Sequence, residues 1–137
     1  MGMEIKMLEL ALHGDERGLL VAAEGEKDIP FEIKRVYYIT GAAPEIRRGF
    51  HAHKELRQVL FCINGSCMIH LDDGFECREV LLDRPNVGLC IDKTIWREMY
   101  DFSPGAVLLV FASERYDEND YIRDYDKFIE YVRKGKK

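Results

Sequence analysis

The chain has 137 residues, of which 47% are hydrophobic and 33% are charged, and this is enough for one hydrophobic core. A formal net charge of −5 argues against nucleic acid as the main partner, because nucleic-acid binding needs a basic face. A small anionic ligand is still allowed, since a few arginines in one pocket can dominate the local field.

The N-terminus and the cysteines bear on where the protein works. Residues Met1–Lys6 do not have the pattern of a signal peptide, and no apolar run is long enough to span a membrane. The four cysteines occur singly and form no CxxC pair, which disfavours zinc binding. They are Cys62, Cys67, Cys77 and Cys90. We therefore expect free, mostly buried thiols in a reducing cytoplasm.

Short candidate strands, separated by turn-forming residues, fill the chain up to about Ala112. They are Ile5–Leu12, Gly18–Ala23, Ile33–Ile39, Val59–Ile63, Ser66–Leu71, Glu76–Leu81, Val87–Ile91, Ile95–Asp101 and Ala106–Phe111. Short strands at regular intervals predict an all-β sandwich or barrel rather than a parallel α/β sheet. The dipeptides Asn64-Gly65 and Asp73-Gly74 lie between apolar runs, and each predicts a tight hairpin.

The pattern changes after Asp117-Glu118-Asn119-Asp120, where apolar residues recur with helical spacing. These residues are Tyr121, Ile122, Tyr125, Phe128, Ile129 and Val132. The acidic run at the start and Arg133-Lys134-Gly135 at the end both suit the helix dipole. We predict one C-terminal helix, packed on the sheet or on a neighbouring subunit, within a single domain that spans residues 1–137.

His51 and His53 are the residues that most strongly indicate chemistry. Side chains alternate between the two faces of a strand, so histidines one residue apart share a face. Imidazole serves both as a metal ligand and in proton transfer near neutral pH. A purely structural role is the third possibility, and it is weakened by the pairing and by the flanking cations Arg47, Arg48 and Lys54.

The residues that follow the histidine pair make a metal site the weaker choice. The spacing of His51, His53, Gln58 and Gly65 resembles the first motif of cupins, which are small jelly-roll barrels. Metal-binding cupins have glutamate at the position of Gln58, and a second motif supplies another histidine. The corresponding region, Pro85–Ile91, has no histidine. Two imidazoles and a neutral amide hold a divalent metal weakly, so acid–base chemistry in a barrel pocket is favoured.

Several separated segments resemble the nucleotide-sugar 3,4-ketoisomerases, the WxcM-like cupin family, in order along nearly the whole chain. They are Asp15–Gly18, Ile33–Ile39, Arg48–Lys54, Leu81–Leu89, Trp96–Met99 and Ser113–Arg123. The resemblance implies an all-β fold, a cupin-type jelly-roll β-barrel with a C-terminal α-helix. It implies conversion of dTDP-4-keto-6-deoxy-D-glucose to a dTDP-3-keto-6-deoxyhexose with no metal or organic cofactor. It also implies a homodimer with exchanged N-terminal strands.

The resemblance places the catalytic base at His51 or His53. The C4 ketone acidifies the C3 proton, and an imidazole can remove that proton to give an enediolate. We favour His51 as the base, with His53 hydrogen-bonded beside the sugar. Arg35 and Arg48 are the expected diphosphate ligands, and the alternative for both is an ion pair on the strand surface.

Five further positions are described with less detail. Tyr37 and Tyr38 face opposite ways, so at most one lines the pocket; Tyr37 is the candidate. Trp96 is expected in a core or an interface. Arg17 and Arg97 occupy positions that vary in the family and would influence the face of C4 that is protonated, and their combination leaves the gluco and galacto products open.

Three rival functions fit the same residues. A 3,5-epimerase of the same substrate also needs a histidine base in a cupin barrel. A non-catalytic sugar-nucleotide-binding module would use the histidines only for hydrogen bonding, and a metal-dependent cupin oxygenase comes last. The epimerase would exchange hydrogen at C5, whereas the ketoisomerase would not.

Overall fold

The computed structural model describes residues 3–134, so Gly135, the predicted end of the helix, lies outside the described residues, as do residues 1, 2, 136 and 137. The strands are β1 (Lys6–Glu9), β2 (His13–Asp15), β3 (Gly18–Leu20), β4 (Arg35–Thr40), β5 (Arg48–His53), β6 (Gln58–Asn64), β7 (Cys67–Asp72), β8 (Cys77–Leu82), β9 (Val87–Ile91), β10 (Trp96–Tyr100), β11 (Val107–Ala112) and β12 (Tyr121–Ile122). A 3₁₀ turn spans Glu118–Asp120, and α1 spans Tyr125–Lys134.

Two five-stranded antiparallel sheets form the jelly roll, and β2 pairs with β3 as a separate hairpin. The first sheet has the order β1-β9-β6-β11-β4, and the second has the order β12-β5-β10-β7-β8. The all-β jelly roll with one C-terminal helix is therefore confirmed. Among residues 3–134, no helix is long and apolar enough to cross a membrane.

The main core lies between the two sheets, and β6 shows how the sequence builds it. Leu60 and Cys62 point into the space between the sheets, whereas Val59 and Phe61 point outward. On the outer side, Ile29 and other residues of the segment before β4 cover the sheet. Both faces of β6 are thus buried, which explains its unbroken apolar run, and burial stabilises each large side chain by about 1.5–3 kcal/mol.

Helix α1 covers the outer face of the second sheet. Phe128 and Val132, one turn apart, pack against Ala52 and Trp96, and the rings of Trp96 and Phe128 lie 5.8 Å apart. The predicted packing of a helix on the sheet is confirmed, and Trp96 is the core aromatic that the sequence suggested. Its burial beneath the helix removes it from the space between the sheets.

The helix begins at Tyr125, so the prediction that it includes Tyr121 and Ile122 is wrong. These two residues form β12, which pairs with His53 and Ala52 of β5. Asp124 starts the helix instead, because its carboxylate accepts from the backbone N–H of Lys127 at 3.1 Å. Pairing with the free edge of β5 outweighs the helical preference that the spacing of Tyr121 and Ile122 indicated.

The predicted hairpin at Asn64-Gly65 is also wrong, whereas the hairpin at Asp73-Gly74 is confirmed. Strand β6 already pairs with β9 and β11 on its two edges, so the chain cannot fold back beside it and crosses to the other sheet. Gly65 has φ +72°, and Ser66 exchanges hydrogen bonds of 2.9 Å with Ser103 at the crossing. The Asp73-Gly74 turn joins β7 and β8, which pair antiparallel.

All four cysteines are free, as predicted, but their burial differs. Cys62 and Cys67 are buried, Cys90 is half-buried, and Cys77 is exposed. The expectation of mostly buried thiols is therefore wrong for Cys77, which lies at the start of the edge strand β8.

Candidate active site

Polar side chains gather at one end of the space between the sheets, whereas apolar side chains fill the rest. The inward-facing polar residues are Arg35 and Tyr37 on β4, His51 and His53 on β5, Gln58 on β6, Arg97 on β10 and Tyr121 on β12. An open cavity of about 470 Å³ lies beside them, lined by His51, Tyr37, Arg48 and Tyr121 among others. Its size is in the range of small-molecule sites.

His51 and His53 share the inner face of β5, as their spacing predicted, and their ring centroids are 5.0 Å apart. His51 Nδ1 lies 3.2 Å from the carbonyl oxygen of Gly49, and His53 Nδ1 lies 3.2 Å from Asp120 Oδ2. Both partners are acceptors, so we assign the ring hydrogen to Nδ1 in each histidine. Each Nε2 then carries a free lone pair, and His53 Nε2 is buried without a hydrogen-bond partner among residues 3–134.

Burial keeps both imidazoles neutral. It lowers the pKa of His51 to about 4 and that of His53 to about 2, and the positive charge of Arg97 lowers both further. At neutral pH each ring is therefore neutral and can accept a proton. A neutral pair with free lone pairs suits proton abstraction from carbon.

The buried guanidinium of Arg97 lies near the two histidines. Arg97 is 0% exposed; it donates from Nη1 to Gln58 Oε1 and from Nε and Nη2 to the carbonyl oxygen of Ile95 at 3.1 and 2.9 Å. Gln58 in turn donates to the Tyr37 hydroxyl at 3.0 Å. Burial lowers the pKa of Arg97 to about 10, so the guanidinium stays charged at neutral pH. A divalent metal at the histidines would meet this charge, so the residue set favours proton transfer.

Arg35 has free donors near the cavity. Its Nε and Nη2 are buried and have no hydrogen-bond partner in the part of the chain that the structure describes. The guanidinium carbon lies 5.3 Å from the ring centroid of Tyr37 and 5.6 Å from that of Tyr116. Within residues 3–134 Arg35 forms no ion pair, so the surface-pair alternative is not observed, and its donors can bind an anion.

A β-bulge turns Arg48 toward the same cavity. His51 pairs with Arg97, but Arg48 pairs with Met99, so the register shifts by one residue between them. Gly49 and Phe50 have φ +95° and +58° at the shift. Paired residues share a face, so Arg48 points inward like Met99, whereas strict alternation from His51 would turn it outward. Arg48 lines the cavity.

Three residues at the site lacked a predicted role: Tyr121 and Arg123, which line the cavity, and Asp120, which contacts His53. The Tyr121 ring lies 4.3 Å from that of His53 and 5.1 Å from that of His51, and Arg123 stacks on Tyr121 at 4.1 Å. Asp120 orients His53. All three fall in the segment whose spacing predicted a helix. Tyr121 and Arg123 stand on either side of the apolar Ile122, and this period of two is typical of a strand.

Arg17 and Tyr38 lie away from the histidines. Arg17 is on the β2–β3 hairpin, where its side chain is 86% exposed and pairs with Asp15 at 2.6 Å; it does not line the cavity of its own chain. Tyr38 is on the face of β4 opposite to Tyr37 and is 66% exposed, as alternation predicted. Both tyrosines nevertheless border the open cavity, so the expectation that at most one of them lines it is wrong.

A larger groove of about 630 Å³ is also lined in part by Asp120, but it lacks the side chains suited to proton transfer. Its lining includes the carboxylates of Glu32, Glu55, Glu114 and Asp117 and contains no histidine. The smaller cavity has the imidazoles and the free arginine donors, so we assign the candidate active site to it.

Comparisons with known proteins agree with this arrangement. The family model described as FdtA: WxcM-like, C-terminal matches residues 3–133. The TDP-4-oxo-6-deoxy-alpha-D-glucose-3,4-oxoisomerase of Aneurinibacillus thermoaerophilus is 54% identical over 132 residues, covering 96% of this chain and 95% of the relative.

Two solved structures are also similar. A 3,4-ketoisomerase from Helicobacter canadensis has a TM-score of 0.93 and 54% identity, covering 96% of this chain and 99% of that one. The H51N mutant of the 3,4-ketoisomerase QdtA from Thermoanaerobacterium thermosaccharolyticum, in complex with TDP-4-keto-6-deoxyglucose, has a TM-score of 0.94 and 48% identity, covering 98% of this chain and 97% of that one.

Proposed function

The chain belongs to the WxcM-like, C-terminal family, and from this membership we propose that it is a sugar 3,4-ketoisomerase. It converts dTDP-4-keto-6-deoxy-D-glucose to a dTDP-3-keto-6-deoxyhexose, the activity class of relatives that are about half identical to it. The observation that carries the proposal is the pair of neutral imidazoles, each with a free Nε2 lone pair, beside a cavity with arginine donors.

In the proposed mechanism, His51 Nε2 removes the proton from C3. The C3–H electron pair forms the C3–C4 double bond, and the electrons of the C4 carbonyl move to its oxygen. The hydroxyl on C3 then loses its proton as the C3 carbonyl forms, C4 takes a proton on carbon, and the C4 oxygen is protonated. No proton or electron is gained or lost overall, so the reaction needs no oxidant or reductant.

His53 is proposed to accept a hydrogen bond from a sugar hydroxyl beside this step. Support comes from its buried Nε2, which has no protein partner among residues 3–134. A sugar hydroxyl there would satisfy a lone pair whose burial otherwise costs about 1–3 kcal/mol. Arg97 does not reach the cavity surface, so its proposed influence on the product passes through Gln58 and the histidine pair.

The diphosphate is proposed to bind Arg35 and Arg48. A guanidinium presents a planar set of donors that matches phosphate oxygens, and Arg35 has two unused buried nitrogens. Tyr37 would line the sugar end of the site, where its hydroxyl is held by Gln58.

We propose a homodimer with exchanged N-terminal strands. Leu19 and Leu20 on the β2–β3 hairpin are 67% and 61% exposed, and Val36 and Tyr38 on the outer face of β4 are exposed as well. Such apolar side chains are normally covered. Arg17 does not line its own cavity, so its proposed contact with the sugar requires delivery by the second copy.

The proposed location is the cytoplasm. The four thiols are unpaired in the structure, and free cysteines are typical of reducing compartments.

Gel filtration with light scattering at several concentrations tests the proposed homodimer, and a monomer at every concentration would contradict it.

NMR of the substrate with the enzyme in D₂O tests the proposed reaction. A new C3 carbonyl with deuterium at C4 is the expected result. Deuterium at C5 would identify a 3,5-epimerase instead. Tight binding of the substrate without any exchange would identify a non-catalytic binding module.

A further inference from the structure

A second group of reactive side chains lies on the outer face of the second sheet, away from the cavity. One ring nitrogen of His70, one carboxylate oxygen of Asp72 and the Cys77 sulfur lie within 4.8 Å of one another. We propose that these three residues form a binding site for a zinc-type divalent cation. Nitrogen, oxygen and thiolate together suit zinc and its first-row neighbours, whereas magnesium and calcium prefer oxygen alone.

The sheet itself holds the ligands in place. Asp72 pairs with Cys77 across β7 and β8, and His70 pairs with Glu79 two residues further along. All four side chains share one face, and directly paired residues have Cβ atoms about 4.5–5.5 Å apart. Side-chain rotation is then enough to bring three ligand atoms to the roughly 3.5 Å separation of a tetrahedral site.

The charge of Asp72 is the independent observation that indicates a cation. Asp72 is 4% exposed, and no lysine or arginine among residues 3–134 lies within ion-pair distance of it. Its oxygens accept from neutral donors, which include the backbone N–H of Gly74 at 2.7 Å and the Tyr125 hydroxyl at 2.5 Å. Buried carboxylates are normally paired with a cation or bound to a metal.

Glu79 supplies the outer contact that metal-bound histidines usually have. Its carboxylate is hydrogen-bonded to Nδ1 of His70 and is itself fixed by the Tyr100 hydroxyl at 2.6 Å. With Nδ1 donating to Glu79, Nε2 of His70 is the nitrogen left for the metal. A water completes the four ligands.

Binding replaces the thiol proton of Cys77. A free thiol is mostly protonated at neutral pH, so the Cys77 sulfur carries its proton before the metal binds. The cation takes the sulfur electron pair as the S–H bond breaks, and the proton leaves to solvent. One proton is therefore released for each ion bound through the sulfur.

The test is titration of the chelator-treated full chain with Co²⁺. We expect a thiolate-to-cobalt charge-transfer band and tetrahedral visible bands that saturate at one ion per chain and disappear when Zn²⁺ is added. The variant Cys77→Ser loses the charge-transfer band. The matched control Cys90→Ser, which changes a half-buried thiol on the other sheet, keeps it.

Alkylation of the unmodified protein gives a second measurement that needs no variant to fold. Zn²⁺ is expected to slow the reaction of the exposed Cys77 thiol at least about tenfold, because a metal-bound thiolate is shielded. No cobalt bands in the wild type, bands that survive in Cys77→Ser, or unchanged alkylation would overturn the proposal. None of these measurements depends on the isomerase activity.

Discussion

His53 and Asp120 are joined by a hydrogen bond of 3.2 Å from the Nδ1 of the ring to the carboxylate. The same carboxylate accepts from the backbone N–H groups of Glu55 at 2.9 Å and Leu56 at 3.2 Å. It therefore fixes the loop after β5 and the orientation of the histidine together, and it leaves Nε2 of His53 as an acceptor.

The variant Asp120→Asn tests this relationship. Oδ2 accepts from His53 and Leu56 and Oδ1 accepts from Glu55, so an asparagine with its amide oxygen toward His53 keeps two of the three hydrogen bonds but loses the bond from Glu55 and the negative charge beside the ring. We expect kcat to fall roughly ten- to a hundredfold with little change in KM. Nitrogen-15 NMR of the histidine ring should show the hydrogen still on Nδ1, so that the loss is assigned to the missing charge and loop contact rather than to a change of tautomer. Asp117→Asn is the matched control, since Asp117 caps only the 3₁₀ turn, and an Asp120→Asn kcat equal to that control would contradict the assignment.

Substitution of each histidine separates their proposed roles. His51→Asn removes the proposed base, and we expect kcat to fall about 10²–10⁴-fold. His53→Asn removes a hydrogen-bonding group and should cost less. Both are measured by NMR of substrate turnover, with circular dichroism to verify folding. A larger loss for His53→Asn would make His53 the base.

Much of this site could be predicted from local pattern. Strand β9 begins and ends where the sequence predicted, and the inward face shared by His51 and His53 follows from period two alone. The presence of Gln58 in the sequence already indicated a site unsuited to a metal, because its amide cannot supply the charge of a carboxylate. In the structure it joins Arg97 to Tyr37.

The remaining features depend on contacts that no local pattern encodes. Tyr121 has helical spacing with Tyr125, but an unpaired edge of β5 draws it into a strand beside His53. Asn64-Gly65 has hairpin composition, yet both edges of β6 are occupied, and the chain crosses to the other sheet. Arg48 faces the cavity only because a bulge at Gly49 changes the register.

The pH dependence of kcat/KM reports the burial of His51. Its pKa is lowered to about 4, so the free enzyme keeps a neutral base well below the ordinary histidine pKa of 6.5. We expect activity to be lost as pH falls through about 4 to 5, where the ring becomes protonated. Initial rates across pH 4–8 measure this. An acid limb centred near 6.5 would contradict the burial of the base.

The same histidines make folding stability depend on pH. Their pKa values are lowered in the folded state, so the unfolded chain binds protons first as the pH falls below 6.5. Stability is therefore full above pH 6.5 and is lost as the pH falls toward 4. Urea unfolding at pH 7.5 and 5 should show this loss, and His51→Gln should reduce it. An equal loss in the variant would assign the effect to other groups.

The bulge can be tested with one methyl group. In Gly49→Ala, the new Cβ would lie 2.8 Å from the carbonyl oxygen of Arg97, at a residue with φ +95°. We expect a loss of about 1–3 kcal/mol in unfolding free energy and a lower kcat, because Arg48 and His51 shift. Gly41→Ala is the matched control: Gly41 has φ +71° but no atom within 4 Å of its Cβ position, so it carries only the backbone strain. Equal costs in the two variants would show that the close approach is unimportant.

Arg35→Lys tests the binding of the diphosphate. Lysine keeps the charge but loses the planar set of donors, of which Nε and Nη2 are the unpaired ones. Because a hydrogen bond to a charged group contributes about 1.5–3 kcal/mol, we expect TDP affinity to fall roughly ten- to a hundredfold in calorimetry. Arg115→Lys, in the acidic groove, should leave affinity unchanged. Affinity retained in Arg35→Lys would mean that the diphosphate lies elsewhere, with Arg48 and Arg123 as the other arginines on the cavity wall.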